Sequence, residues 1–366
     1  LLALPAAAGD CLAWEVGGQV TSAWWEAQST GVGDAGMVRT RLSVTEASGP
    51  FRFEFAPEMR LATGAAAEEG HAESSTRQDL SWEFADETDL DGTLEIDRLW
   101  ASADFGRWQA TVGRQPVGFG TSLFWAPTDL VAPFAYLEPD RDTRPGSDAL
   151  RLLWAPGNLA VTGLVWAAGE AREDDVLLAH ARFPLGKGEG FLIGGRVRGR
   201  PALGGSLQGE AGGIGLRAEG VLFESDQDGD DDASERRGVV IAGADYRFAG
   251  GAYLAAEYLY CGTGSTDPGG YEVVRGGEAY RSGLVPFAAR QYLFARVSRG
   301  FNPLATWNLG LWWNLDDGSA LVQPQVGVSL ADDLDFLLMY IIPAGSRSSE
   351  FGGTAPRIES RLSWHF

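Results

Sequence analysis

Alternation with period two runs through most of this chain. In the stretch Pro356 to Phe366, Ile358, Ser360, Leu362, Trp364 and Phe366 share one set of positions, and Arg357, Glu359, Arg361, Ser363 and His365 the other. Side chains of a strand point alternately to its two faces, so this stretch predicts a strand with one greasy and one charged face. The pattern recurs from the start of the chain. Over 12–27, Trp14, Val16, Val20 and Trp24 oppose Glu15, Gln19 and Thr21. Over 37–45, Val38, Leu42 and Val44 oppose Arg39, Arg41 and Ser43, and over 51–61 three phenylalanines alternate with Arg52 and Glu54. A hairpin is predicted at 93–103 and 107–118. From Asp148 strands are predicted over 148–155, 158–168, 175–184, 190–199, 203–211, 214–224, 237–247, 252–262, 288–299, 304–314, 319–330, 334–343 and 356–366.

The junctions alternate between tight turns and longer segments, predicted as outer loops at 62–92, 119–147, 225–236, 263–287 and 344–355. About eighteen strands result, or about sixteen if the hairpin at 200–214 is lost. The fold class expected is all-β: a closed, antiparallel, up-and-down transmembrane β-barrel, with greasy positions toward lipid and polar ones toward a lumen. Trp307, Leu309, Leu311 and Trp313 on one face, against Asn308, Gly310 and Asn314, fit that arrangement. A propeller or β-helix would repeat a motif at fixed period, and none occurs.

Composition narrows the picture. No apolar run reaches eighteen residues, which excludes a membrane-spanning helix. The net charge of −21 argues against a general nucleic-acid binder. Lys187 is the only lysine, so the remaining cations are arginines. Residues 1–8 resemble the tail of a secretory signal with an Ala6-x-Ala8 step, leaving 9–366 as a single barrel domain. Asp10 before Cys11 makes a poor lipidation site, and Cys11 and Cys261 are expected as unpaired thiols at opposite ends of strands.

Polar positions should line the lumen. They supply Arg39, Arg41, Arg52, Arg151, Arg182, Arg196, Arg198, Arg217, Arg247, Arg296, Arg357 and Arg361, with Glu15, Glu54, Glu219, Asp245, Glu257, Asp335 and Glu359. Arginine in excess favours anions in a water-filled pore. Pairing with the nearby carboxylates, which would only stiffen the wall, is the alternative. Acidity gathers instead in the outer loops. Asp226, Asp228 and Asp230 around Gly229 are raw material for a Ca²⁺ loop, although the spacing is not an EF-hand and a solvated loop explains it equally. A lipopolysaccharide-bridging divalent ion is a further reading of the same charge. Otherwise no cofactor is expected.

Two stretches resemble known families. A barrel strand ending on Phe366 resembles the closing strand of Gram-negative outer-membrane barrels, which implies recognition by the barrel-insertion machinery. Between Asp97 and Trp154, the runs Val112-Gly-Arg-Gln-Pro116, Phe124-Trp-Ala-Pro-Thr-Asp129 and Asp140-Arg-Asp-Thr-Arg-Pro-Gly-Ser-Asp-Ala-Leu-Arg151 resemble alginate-export-type porins. That resemblance implies an arginine-lined pore partly closed by loops. Arg114 and Arg151 would stand near the constriction, with Asp129, Asp140, Arg141, Asp142 and Arg144 in the connecting loop beside Trp125. Alternation puts Arg114 with Val112 on the lipid side, so a bulge at Gly113 is needed to turn it inward. No nucleophile–base pair, metal spacing or phosphate loop supports an enzyme. The expected function is passive passage of small anions, with polysaccharide export through a periplasmic partner, or a structural barrel anchoring a surface complex, as alternatives.

Overall fold

The computed structural model describes residues 14–27, 35–64, 76–87, 89–133, 144–157, 161–225 and 235–366. Its strands are β1 (Trp14–Ala27), β2 (Ala35–Ser48), β3 (Phe51–Gly64), β4 (Ser81–Glu87), β5 (Leu90–Phe105), β6 (Trp108–Pro116), β7 (Gly146–Trp154), β8 (Val161–Ala167), β9 (Val176–Leu185) and β10 (Gly188–Val197). The second half holds β11 (Arg200–Ala211), β12 (Ile214–Ser225), β13 (Glu235–Arg247), β14 (Tyr253–Cys261), β15 (Gln291–Asn302), β16 (Ala305–Asn314), β17 (Ala320–Ala331), β18 (Leu334–Ala344) and β19 (Arg357–His365). All except β4 pair antiparallel with their neighbours around a ring that β1 and β19 close. The wall therefore has eighteen strands. The hairpin doubted in the sequence is present as β11 and β12, which removes the sixteen-strand option.

Closure pairs the strands of the ring edge to edge, as a lipid environment requires. At the seam the backbone N–H of Gly18 donates to the Phe366 carbonyl at 2.8 Å, and that of Phe366 donates back at 3.0 Å. The Phe366 ring lies over Gly18, where a Cβ would come within 2.4 Å of it. The outward positions carry exposed Val16, Leu42, Leu164, Leu192, Leu222 and Leu338. Exposed aromatics such as Trp14, Trp108, Tyr260 and Trp364 stand toward the strand ends, as interfacial girdles do.

Turns of two residues, such as 49–50, 186–187 and 212–213, mark one rim. The long connections at 117–145, 262–290 and 345–356 share the other. One long-rim connection is also tight: at 198–199 Arg198 and Gly199 both take positive φ, at 50° and 76°, which suits a two-residue hairpin. Two features of this rim differ from the strand pattern expected. The segment read as loop at 62–92 contains β4, which pairs with the upper half of β5, above the point where β6 leaves the sheet. The loop at 262–290 holds two short helices, α1 (Tyr271–Gly276) and α2 (Glu278–Arg281). Cys261, at the long-rim end of β14, is a buried free thiol, while Cys11 lies outside the described residues.

Candidate functional site

After Pro116 the chain turns into the barrel instead of rising above it. The segment 117–133 packs against the inner wall, and its shape is held by carboxylates. Asp129 accepts the backbone N–H of Phe119 at 2.6 Å and of Gly120 at 2.8 Å, and pairs with Arg144 at 2.6 Å. Glu219 on β12, 2% exposed, gathers both limbs. Its Oε2 accepts N–H and O–H from Thr121 and Ser122 at 2.8–3.1 Å, and its Oε1 accepts both from Thr128 at 2.8 and 2.7 Å. Glu257 on β14 accepts the N–H groups of Leu123 (2.9 Å) and Phe124 (3.1 Å), with Arg217 at 3.5 Å.

Apolar docking completes the attachment. Phe124, Trp125, Leu130 and Val131 are buried in one cluster with the inward Val165, Leu178, Ile193, Val221, Ile241 and Leu259. Phe124 stacks on Phe294 at 5.6 Å and meets Trp312 edge-on at 5.9 Å. Burying four such side chains contributes roughly 6–12 kcal/mol, at about 1.5–3 each. That fixes the segment against the inner wall. Removing it would expose an apolar inner wall to water.

Across the lumen, β2, β3 and β5 carry a charged row. Glu58 forms ion pairs with Arg39 at 3.0 Å and Arg41 at 3.3 Å. Asp97 pairs with Arg41 and, at 2.7 Å, with Arg98, while Arg60 pairs with Asp91 at 2.9 Å. Asp97 and Arg98 are sequence neighbours that both face inward, because the β3–β5 register skips a residue there and forms a bulge. Asp97 also accepts the Gly146 N–H at 2.8 Å, and Arg98 donates to the Arg144 carbonyl. The charged row thus continues into the stem of the constriction. Sequence reasoning missed Glu58, Arg60 and Arg98, although Glu58 and Arg60 continue the Arg52–Glu54 alternation.

The other predicted arginines divide by partner and face, and Arg52 pairs with Asp104 at 3.4 Å. Arg182 is bound to Glu189, Arg217 to Asp245, and Arg357 lies 3.8 Å from Glu359 and over the Trp25 ring. Arg361 shares the inward face with Ala23, its partner across the seam. Arg151, Arg247 and Arg296 occupy inward positions with no carboxylate at ion-pair distance among the described residues. Arg247 stands beside the Tyr253 ring near the short-turn rim, and Arg296 lies over Phe124.

Arg114, Arg196 and Arg198 lie elsewhere. The β5–β6 register runs unbroken through Gly113, so no bulge turns Arg114, and it stays on the face of Val112 and Leu150. There it pairs with Asp148 at 2.8 Å and donates to the carbonyls of Gln78 and Ile96. Arg196 pairs across with the exposed Leu177 on the outer face, and Arg198 sits in the rim turn. Trp125 and Asp129 belong to the segment inside the barrel, and Arg144 pairs with Asp129. Asp140, Arg141 and Asp142, and the acidic Asp226, Asp228 and Asp230, lie outside the described residues. At the long-loop rim, Glu350 accepts from Ala288 N (2.8 Å), Asn314 Nδ2 (2.8 Å) and the Tyr292 hydroxyl, and burial holds its carboxyl above the usual range.

No family model matches the sequence, and no curated protein matches it. Solved structures do match the fold. OccAB1 of Acinetobacter baumannii is 10% identical over 96% of both chains, with a TM-score of 0.63. A BenF-like porin from Pseudomonas fluorescens Pf-5 is 10% identical over 96% of this chain and 98% of its own, with a TM-score of 0.61. OccK2 of Pseudomonas aeruginosa in complex with glucuronate is 10% identical over 96% of both, with a TM-score of 0.59. The fold is that of the outer-membrane porins. These neighbours are channels, not enzymes, and the expected resemblance to alginate-export-type porins is not supported by them. An apolar belt around such a barrel makes the chain an integral outer-membrane protein.

Proposed function

We propose that the chain is a passive outer-membrane channel for small anionic solutes, with segment 117–133 setting its aperture. The observation that carries this reading is the set of inward arginines with no carboxylate at ion-pair distance among the described residues, Arg151, Arg247 and Arg296, spaced from mid-barrel toward the short-turn rim. An unpaired guanidinium in a narrow aqueous path attracts anions and matches a carboxylate with two parallel donors. The charged row on β2, β3 and β5 sets Arg39, Arg41, Arg60 and Arg98 against Glu54, Glu58, Asp91, Glu95 and Asp97, so its charges nearly balance and the preference rests on the three arginines. Glucuronate bound in the OccK2 structure supports a small organic anion as the cargo. The porin neighbours give no support to polysaccharide export.

Liposome swelling tests the proposal. Vesicles containing the barrel should swell faster in gluconate than in an equal concentration of a cationic amino sugar. Equal rates would contradict anion preference, and no swelling in either solute would favour a sealed structural barrel.

A further inference from the structure

The hairpin of β4 and β5 carries an apolar surface beyond the reach of the lipid belt. Segment 76–80, which leads into β4, crosses the outer wall as an ionic strap. Asp148 accepts the N–H groups of Arg77 at 2.9 Å and Gln78 at 3.0 Å and pairs with Arg114 at 2.8 Å, while the Arg77 guanidinium binds Asp175. Trp166 donates to the same Asp175 at 3.0 Å, as an interfacial tryptophan does. Ionised pairs of this kind mark the outer limit of the hydrocarbon. Arg114 stands opposite Leu99, whereas Trp82 stands opposite Leu94, roughly 16 Å further along β5 toward the long-loop rim. There Trp82 is 52%, Phe84 54% and Leu94 40% exposed on the outward side, where the Phe84 ring covers Gly92. The other side carries the exposed Glu83 and Asp86, opposite Thr93 and Asp91. Among the described residues β4 pairs with β5 alone, so its second edge offers backbone N–H and C=O groups.

We propose that this edge docks an extended basic segment of another polypeptide, reaching the barrel from the cell exterior and adding to β4 as a further strand. Backbone pairing supplies the attachment, and the two faces of β4 choose the sequence. Side chains of an added strand alternate between those faces. On one face they meet Trp82 and Phe84, which favour apolar partners. On the other they meet Glu83 and Asp86, which favour arginine or lysine. The matching segment therefore alternates apolar and basic residues. A second copy of this chain does not match. Pairing β4 with its own counterpart brings acidic residues of both copies onto one short ribbon, and like charges across a strand pair are destabilising. The carboxylates that keep copies apart are the ones that attract a basic strand. The docking site stands outside the lumen and is independent of what the channel passes.

The probe is a heptapeptide of alternating arginine and valine, titrated calorimetrically into the full chain in zwitterionic detergent micelles, with empty micelles as the blank. One peptide per barrel should bind. Methylating every backbone nitrogen of the peptide should weaken binding at least about ten-fold, because the peptide can no longer donate to the β4 edge. Glu83→Lys combined with Asp86→Lys should weaken the arginine–valine peptide about ten-fold and create binding of a glutamate–valine peptide that the wild type lacks. Trp82→Ser should weaken the arginine–valine peptide several-fold. All three positions are exposed, so the variants should fold, and an unshifted heat-denaturation midpoint checks this. No binding, equal binding of the methylated peptide, or binding of the glutamate–valine peptide by the wild type overturns the proposal. A barrel dimer that Trp82→Ser dissociates would assign the edge to a second copy and overturn it too. So would quenching by brominated lipid of the Trp82 fluorescence, read as the difference between wild type and Trp82→Phe, which would put this surface in the bilayer.

Discussion

Glu219→Gln is the sharpest probe of how the constriction is held. Glutamine keeps the shape of the side chain but replaces one acceptor oxygen by an NH₂ group. Its remaining oxygen is best used at the Oε2 position, where Thr121 and Ser122 supply four donors. The NH₂ then faces Thr128, whose hydroxyl can turn round to accept but whose N–H cannot. Thr128 is fully buried, so a stranded N–H costs about 1–3 kcal/mol. Against this stands the roughly 6–12 kcal/mol from docking Phe124, Trp125, Leu130 and Val131. The comparison decides the outcome: the segment stays in the barrel and only its Thr128 limb loosens. Single-channel recording should show noisier current and a conductance increase below about two-fold. Quiet, unchanged current would refute the role given to Glu219. A many-fold jump to an open-barrel conductance would refute the apolar docking.

Other outcomes follow from the same geometry. Glu58→Gln frees Arg39 and Arg41 from their shared carboxylate, so reversal potentials in a salt gradient should shift toward stronger anion selectivity, whereas Arg41→Gln should shift them the other way. Arg114→Ala leaves Asp148 with the Arg77 and Gln78 N–H donors, so heat denaturation in detergent should show a loss of about 1–3 kcal/mol, with ion selectivity unchanged because Arg114 is outside the lumen. Glu350 has its carboxyl raised by burial, so its protonated form suits the folded rim. Stability there is greatest below the ordinary carboxyl range and falls as pH rises through the raised value. Hydrogen exchange at 345–356 should therefore be slowed more at low pH than its intrinsic pH dependence accounts for, and Glu350→Gln should flatten that difference.

Much of the barrel was legible because alternation is a local signal. Most strands announce their two faces by themselves, whereas β11, interrupted by Gly204, Gly205 and Gly209, does so only weakly. Parity misled where it was judged from polarity alone. Arg196 is charged yet lies on the outer face, beyond Leu192 and Gly194, near a rim where a long cationic side chain reaches the headgroup layer. Strand β4 was hidden in an acidic segment, although Trp82 and Phe84 alternate with Glu83 within it. The constriction had a signal that went unread. Val176-Leu-Leu178, Phe191-Leu-Ile193, Val221-Leu-Phe223 and Val239-Val-Ile241 are apolar on both faces, which marks an inner wall covered by something dry. What no local pattern reveals is the partner. Thr121 and Glu219 are 98 residues apart, and only the closed ring brings them together.

The central claim is that a narrowed, arginine-biased aqueous path runs through this barrel although the chain as a whole is acidic. Reversal potential in a KCl gradient, with the purified barrel in a neutral bilayer, tests it most directly. The account predicts a potential displaced toward the chloride equilibrium value. A potential displaced toward that of potassium would mean that the net charge of −21, and not the lumen arginines, governs passage.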